Sequence, residues 1–188
     1  GDELVQVLTT NGSEKLLVVT RQGMAVRYDE NDVRPMGRTA AGVRAIKLRE
    51  GDEVVAAVRA SDENAAVLTV TENGYGKRTL LGEYGLRNRG CMGLMTYRIT
   101  DKTGEIVGAK KINGDEDVLL VSDDGTIIRM EAGSISLLGR ATQGVRLMRP
   151  APGARVVAMA RAEREPDEEE PAEAGESAET KEADTEEE

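Results

Sequence analysis

The chain repeats one eight-residue motif three times at a fixed interval of 51 residues. The motif reads Gly-Arg-Thr-Ala-Ala-Gly-Val-Arg at 37–44, Asn-Arg-Gly-Cys-Met-Gly-Leu-Met at 88–95 and Gly-Arg-Ala-Thr-Gln-Gly-Val-Arg at 139–146. A constant period near 50 residues is typical of repeat architectures, in which each unit stacks on its neighbours to bury its apolar faces. Any fold for this chain must therefore place the three motifs in equivalent positions.

Each repeat is predicted to hold four short strands separated by turns. Turn glycines at 23, 74 and 125 share the 51-residue period, and the segments around them are apolar runs or alternate apolar and polar residues. This pattern predicts an all-β fold, a propeller-like β-pinwheel of four-stranded blades. The predicted strands are 16–20, 24–28, 43–48, 54–58, 66–70, 75–80, 93–99, 106–110, 118–121, 126–130, 144–148 and 155–159, with 4–8 as the last strand of a preceding unit.

The repeat boundaries predict about three blades followed by a charged tail. Blades are expected at 11–60, 61–112 and 113–162, residues 1–10 are expected to end a preceding blade, and 163–188 form the tail. Three blades make only part of a ring. We therefore expect either a piece of a larger domain or a partner copy that supplies the rest.

The net charge of −10 comes from the tail alone. Residues 163–188 hold 14 acidic residues against two basic ones, whereas the rest of the chain has a net charge of +2. A segment this acidic and this poor in apolar residues cannot offset the entropy that ordering would cost, so the tail is predicted to be disordered. The repeats form a nearly neutral, slightly basic domain.

The composition argues against a catalytic site in this segment. The chain has no histidine and one cysteine, Cys91, which excludes histidine-based acid–base chemistry and a cysteine zinc cluster. Acidic residues at 115–117 and 123–124 lie beside glycines and are expected to be solvated turns rather than metal ligands. We expect no metal and no cofactor here. Without an apolar run of membrane-spanning length or a signal-peptide pattern, we also expect a soluble cytoplasmic protein.

Basic residues recur with the repeat. The segments 33–49, 84–100 and 132–162 contain no Asp or Glu, and each carries several basic residues. Arginine suits phosphate oxygens through its charge and forked hydrogen bonds, and glycine allows a phosphate to approach backbone N–H groups closely. The alternative is a solvated loop rim whose glycines serve turn geometry only. The predicted DNA-binding residues are Arg34, Arg38, Gly42, Arg44, Lys47, Arg49, Arg87, Arg89, Gly93, Arg98, Arg140, Gly144, Arg146 and Arg149.

The residue types also narrow the mode of nucleic-acid binding. With no Phe or Trp and no recognition helix, the chain lacks the usual means of stacking on single strands or reading a major groove. Sequence-independent contact with the duplex backbone, with bending, is favoured. Because the middle motif is degenerate, Arg38 and Arg140 are expected to contribute more to DNA affinity than Arg89. A propeller that binds proteins or peptides is the alternative function.

The motif and its period resemble the C-terminal domain of DNA gyrase A. The clearest stretch is 135–149, Ile-Ser-Leu-Leu-Gly-Arg-Ala-Thr-Gln-Gly-Val-Arg-Leu-Met-Arg, which is similar to the final blade of that family. The resemblance covers 1–162 and implies a β-pinwheel that wraps duplex DNA around a basic rim, so that the enzyme introduces negative supercoils. The family's Gln-Arg-Arg-Gly-Gly-Lys-Gly box is absent, and its usual six blades exceed the number here. The related pinwheel of topoisomerase IV is an alternative.

The resemblance further implies an ATP-dependent type IIA topoisomerase, an isomerase, whose catalytic tyrosine and ATPase lie outside this segment. The implied partners are double-stranded DNA, the rest of gyrase A, and gyrase B in an A2B2 heterotetramer. ATP and Mg are implied only for the whole enzyme, which would be associated with the bacterial chromosome in the cytoplasm. Two roles stay open for the acidic tail: competition with DNA for the basic rim, or simple solubilisation.

Overall fold

The computed structural model describes residues 2–164, and this part of the chain is all-β, as the repeat predicted. Its strands form three antiparallel sheets. Within residues 2–164, no helix has the length and apolar character needed to cross a bilayer. The predicted disorder of the tail falls almost wholly on 165–188, outside the described residues. The strands are β1 (Lys15–Thr20), β2 (Met24–Asp29), β3 (Val54–Arg59), β4 (Ala66–Thr71), β5 (Tyr75–Leu80), β6 (Leu94–Met95), β7 (Ile106–Ile112), β8 (Asp117–Ser122), β9 (Ile127–Glu131), β10 (Val145–Arg146) and β11 (Val156–Ala162).

The first two repeats begin with hairpins of the same design. The turn between β1 and β2 contains Gly23, whose φ of +85° favours glycine. The buried hydroxyl of Thr20 accepts a hydrogen bond from the backbone N–H of Met24 at 3.2 Å. In the second repeat, the hydroxyl of Thr71 accepts from the N–H of Tyr75 at 3.3 Å. The turn glycines therefore share a period because they close equivalent hairpins.

The second and third repeats each donate a strand to the sheet of the repeat before them. The first sheet has the order β3-β1-β2-β6 and the second has the order β10-β5-β4-β7. Strand β6 belongs to the second repeat but completes the first sheet, and β10 of the third repeat completes the second sheet. The third sheet, β11-β8-β9, has three strands, and no strand within residues 2–164 pairs with the free edge of β9. Each of the first two sheets is thus completed by the repeat that follows it in the chain.

Two predicted strands are not formed, and two others are shorter than expected. Segments 4–8 and 43–48 contain no strand within the described residues, and the strands predicted at 93–99 and 144–148 span two residues each. The segment after a motif pairs with the second strand of the preceding repeat. Within residues 2–164 no sheet precedes the first repeat, so 43–48 has no such partner there.

A motif glycine lies directly against the sheet that its repeat completes. A β-carbon on Gly93 would overlap the carbonyl oxygen of Ala25, and one on Gly144 would overlap that of Gly76. All three motif glycines have positive φ, but a β-carbon on Gly42 would have no atom within 4 Å. Gly93 and Gly144 are therefore required for close approach between repeats, whereas Gly42 serves only the turn.

The core lies between the sheets. One cluster, which includes Leu17, Val67 and Ile106, joins the first and second sheets. A second cluster, which includes Leu68 and Leu120, joins the second and third sheets. All of β4 is buried because the second sheet packs on both sides, whereas the residues of β9 alternate between exposed and half-buried. The repeats therefore stabilise one another by shared apolar burial.

We expect Gly93→Ala to destabilise the protein far more than Gly42→Ala. Both substitutions place alanine at positive φ, which costs roughly 1 kcal/mol. Only the Gly93 substitution also forces a methyl group into the backbone of the neighbouring sheet. Urea unfolding of the two variants measures the difference in the free energy of unfolding. Equal losses would show that Gly93 does not limit the approach of the second motif to the first sheet.

Candidate nucleic-acid interface

The three motif segments lie side by side and form one continuous surface. The N–H of Lys47 donates to the carbonyl of Cys91 at 2.8 Å, and the N–H of Gly90 donates to that of Ala45 at 2.6 Å. At the next junction, the N–H of Arg98 donates to the carbonyl of Thr142 at 3.1 Å, one period further on. We call this surface the motif strip, and it comprises 37–49, 87–98 and 139–149.

Most of the predicted basic residues on and beside the strip are exposed and unpaired. Their side chains make no hydrogen bond or ion pair with any residue of the described range 2–164. These residues are Arg34, Arg38, Arg44, Lys47, Arg49, Arg87, Arg98 and Arg149. Because no acidic side chain of the described range pairs with these cations, their charges add up to a positive potential along one surface.

The other two motif arginines are half-buried and hold adjacent segments together. Arg89 donates from Nε to the carbonyl of Asp32 at 2.9 Å and from Nη1 to that of Arg44 at 3.3 Å. Arg140 donates from Nη1 to the carbonyl of Met95 at 2.8 Å. Positions 44 and 95 are one period apart, so the two contacts are equivalent. The structure thus gives Arg89 and Arg140 a structural role, and their contact with DNA stays a prediction.

Arg146 is exposed but contacts a tyrosine of the neighbouring strand. Its Nη2 and Nε donate to the Tyr75 hydroxyl at 2.5 and 3.2 Å, and its guanidinium lies 5.0 Å from the ring centre. The ammonium of Lys102 lies 5.4 Å from the same ring. The hydrogen bond from Arg146 lowers the pKa of Tyr75. Tyr75 therefore positions Arg146 at the edge of the strip.

A buried lysine anchors the third motif. Lys77 is fully buried, and its Nζ donates to the carbonyls of Gly139 and Arg140 at 2.7 and 2.5 Å and to the Thr142 hydroxyl at 3.0 Å. Burial lowers the pKa of Lys77 to about 8, although the nearby carboxylate of Glu83 raises it. The repeat pattern does not identify Lys77, since the equivalent positions hold valine and isoleucine.

A second pair of periodic arginines was missed by reasoning from the motifs. Arg27 is buried and donates from Nη1 to the carbonyl of Tyr84 at 3.1 Å. Arg78, one period later, donates to the carbonyls of Ile135 and Gly133 at 2.7 Å each. Each arginine holds the segment of the next repeat that leads into a motif. The 51-residue period of these positions was a signal for this role.

Two other basic residues of the acid-free segment 132–162 are paired with acidic residues away from the strip. Arg155 lies 3.0 Å from Glu72, and Arg161 lies 3.4 Å from Glu116. The expected solvated turn at 123–124 is stabilised by its own contacts, since Asp124 accepts from the N–H of Thr126 at 3.0 Å. Within 2–164, no three acidic or cysteine residues cluster in a metal-binding arrangement.

The chain matches the family model described as "DNA gyrase C-terminal domain, beta-propeller" at residues 14–61, 65–113 and 116–163. It is 48% identical over 167 residues to DNA gyrase A of Staphylococcus epidermidis, an alignment that covers 88% of this chain and 19% of that protein. The chain therefore spans about a fifth of the length of this relative.

Two solved structures are similar to this fold. The structure of a DNA gyrase A C-terminal domain aligns with a TM-score of 0.74 and 31% identity, covering 80% of this chain and 51% of that one. The C-terminal domain of a DNA topoisomerase IV aligns with a TM-score of 0.77 and 24% identity, covering 82% and 48%. At that identity, the second structure supports the fold alone.

We expect the free energy of unfolding to rise between pH 8 and about pH 9 because of Lys77. Its folded pKa lies below the ordinary 10.5, so over this range the unfolded chain binds more protons, and raising the pH favours the folded state. The gain is at most about 3 kcal/mol, since each pKa unit corresponds to about 1.4 kcal/mol. Burial raises the pKa of Tyr84 to about 12 and also raises the pKa values of Tyr28 and Tyr97. These tyrosines oppose the rise from about pH 9, where tyrosines of the unfolded chain begin to lose their protons, so the contribution of Lys77 dominates between pH 8 and about pH 9.

Urea unfolding of the protein and of Lys77→Met at several pH values between 7 and 10 checks this. The substitution should remove the rise, because methionine fills similar space without titrating. A rise of the same size in the variant would assign it to other groups.

Proposed function

Because the chain belongs to the DNA gyrase C-terminal domain family, we propose that it binds duplex DNA along the motif strip and bends it. The family makes it a domain of a type IIA topoisomerase. The observation that carries the proposal is the continuous row of exposed, unpaired basic side chains contributed by all three repeats. Such a row neutralises successive phosphates and releases their counter-ions, which is the main source of sequence-independent affinity for DNA.

The side chains on the strip support contact with the backbone rather than with bases. All of the exposed, unpaired residues except Lys47 are arginines, whose planar guanidinium forms two hydrogen bonds with a phosphate. The described residues contain no α-helix that could enter a groove; their three 3-10 helices span three residues each. Because the motif segments follow one another around successive sheets, DNA that stays in contact with all three must follow their path. The energy needed to bend the DNA would be offset by the additional phosphate contacts that the bent path allows.

The roles of the whole protein are part of the same proposal. By analogy with the relatives, the chain would act with the rest of gyrase A and with gyrase B in an A2B2 assembly on double-stranded DNA. The wrap would bias strand passage so that negative supercoils are introduced. ATP and Mg would be bound by other parts of the enzyme, and the assembly would work on the bacterial chromosome in the cytoplasm.

A second candidate function is peptide binding by the third sheet. The free edge of β9 presents unpaired backbone groups beside Ile127, whose exposed fraction is 60%. An extended peptide can add a strand to such an edge. This surface lies on a different strand from the motif strip, so the two functions can be tested separately.

We expect the affinity for random duplex DNA to fall steeply with salt, and to depend on the strip. A variant carrying Arg44→Gln, Lys47→Gln and Arg98→Gln should bind more weakly. Its slope of log K against log salt should be smaller by about 0.9 for each lost phosphate contact. Fluorescence anisotropy over a range of salt concentrations measures both quantities.

The matched control is Lys15→Gln, Arg21→Gln and Arg155→Gln, which removes the same charge away from the strip. Equal weakening in the two variants would show that net charge, rather than the strip, determines binding. If the protein has no affinity for duplex DNA even at low salt, the proposal fails.

We also expect the bound DNA to be wrapped rather than merely held. Closed circular DNA that is relaxed by a type I topoisomerase while the protein is bound should differ in linking number from DNA relaxed alone, since a chiral path constrains supercoils. Gel electrophoresis after removal of the protein measures the shift. Binding without any shift would support contact with DNA and contradict wrapping by this chain.

A further inference from the structure

A second set of basic residues repeats with the same period but lies on different strands. Arg59, Lys110 and Arg161 are 51 residues apart and occupy equivalent positions near the ends of β3, β7 and β11. Strand β3 packs against β7, and β7 packs against β11. One cation from each repeat is therefore brought to the same region.

These residues line a shared cavity of about 170 Å³. Lys111 also lines it, together with Gln6 and Leu8 from the N-terminal segment, and no carboxylate does. The side chains of Arg59, Lys110 and Lys111 have no ion-pair partner within the described range. We call these three residues and Arg161 the inner cationic cluster.

Arg161 is the one partly neutralised member of the inner cationic cluster. It lies 3.4 Å from Glu116, and its Nη1 is 3.4 Å from the carbonyl of Lys111. Half of its side chain remains exposed. The cluster as a whole therefore keeps a net positive charge around an open cavity, which favours an anionic ligand.

The inner cationic cluster is separate from the motif strip. In the first sheet, β3 forms one edge and β6, donated by the second repeat, forms the other. In the second sheet, β7 and β10 occupy the opposite edges in the same way. Four-stranded sheets are roughly 14 Å wide between their outer strands, since neighbouring strands are about 4.8 Å apart. DNA contact on the strip therefore does not account for the cluster.

We propose that the inner cationic cluster binds the acidic C-terminal segment of the same chain, residues 165–188. This segment holds 13 acidic residues against Lys181, a net charge of −12. The described chain leaves β11 at Ala162, directly after Arg161, and then turns toward β9, where Arg164 pairs with Glu131. The acidic segment therefore starts four residues after a member of the cluster. Because the segment is covalently attached near the cluster, its effective concentration there is high, roughly millimolar.

The energetics fit a contact that is weak residue by residue and sensitive to salt. An exposed ion pair contributes about 0–1 kcal/mol, and screening reduces it further at physiological ionic strength. Four cations and 13 acidic residues can form several such weak ion pairs at once, and their small free energies add without a fixed geometry. The same segment bound to the motif strip would place its charge on the proposed DNA surface, which is the competing arrangement.

Zero-length carbodiimide cross-linking of the full-length chain distinguishes the two arrangements. The reagent joins a carboxylate to an amine only where the two are in contact, and lysines mark both surfaces. At low salt and high dilution, residues 165–188 should be linked mainly to Lys110 and Lys111, and high salt should suppress these links. Mass spectrometry of the digested monomer identifies them. Links mainly to Lys47 would place the segment on the strip, and links spread evenly over Lys15, Lys47 and Lys102, or none, would equally overturn the proposal.

Two variants test the role of the arginines. Arg59→Gln together with Arg161→Gln should lower the yield of links to Lys110 and Lys111 several-fold, although both lysines remain. Arg59→Gln alone, which breaks no ion pair, should lower the yield in the same direction. The matched control, Arg38→Gln with Arg49→Gln, removes two charges from the motif strip and should leave the yield unchanged. An unchanged yield in both cluster variants, or an equal loss in the control, would contradict the proposal.

Discussion

The donation of a strand from one repeat to the sheet of the preceding repeat is the constraint on which the rest of the structure depends. A sheet edge presents unpaired N–H and C=O groups, and each of the first two sheets satisfies one edge with a strand from the next repeat. This donation carries the second and third motifs across a junction and sets each against the motif before it. The continuity of the motif strip is therefore a consequence of backbone pairing, and glycines at 93 and 144 allow the close approach that it requires.

The arginines divide into two groups with different physical roles. One group donates hydrogen bonds to backbone carbonyl oxygens of the adjacent repeat at the junctions; it comprises Arg27 and Arg78 in the strands and Arg89 and Arg140 in the motifs. Other periodic arginines face solvent without partners and supply the positive potential of the strip. A residue type that repeats in sequence can thus hold the fold together at one position and present charge at another.

Local patterns in the sequence predicted the hairpins well, because the two strands of a hairpin are joined by a short turn and pair with each other. The fold class and the basic segments followed from the same period. The partner of each motif strand could not be predicted, since β6 and β10 pair with strands about 70 residues away. Lys77 was missed for a related reason: its burial depends on carbonyls of 139 and 140, and only the second repeat has a lysine there. The arginines at 27, 78 and 129 also follow the 51-residue period, but only the contacts in the structure show that Arg27 and Arg78 hold the next repeat.

The unequal ends of the described structure give it a direction. At the third repeat, β9 and the turn at Gly125 have no incoming strand, whereas at the first repeat the segment around Gly42 has no sheet to complete. Among the described residues, the end at β9 can accept a strand, whereas the end at the first motif can donate one to another sheet. A two-fold symmetric contact between such ends would join like with like and leave both needs unmet. Extension of this architecture is therefore a head-to-tail process, in which each added repeat creates the same acceptor that it has just filled.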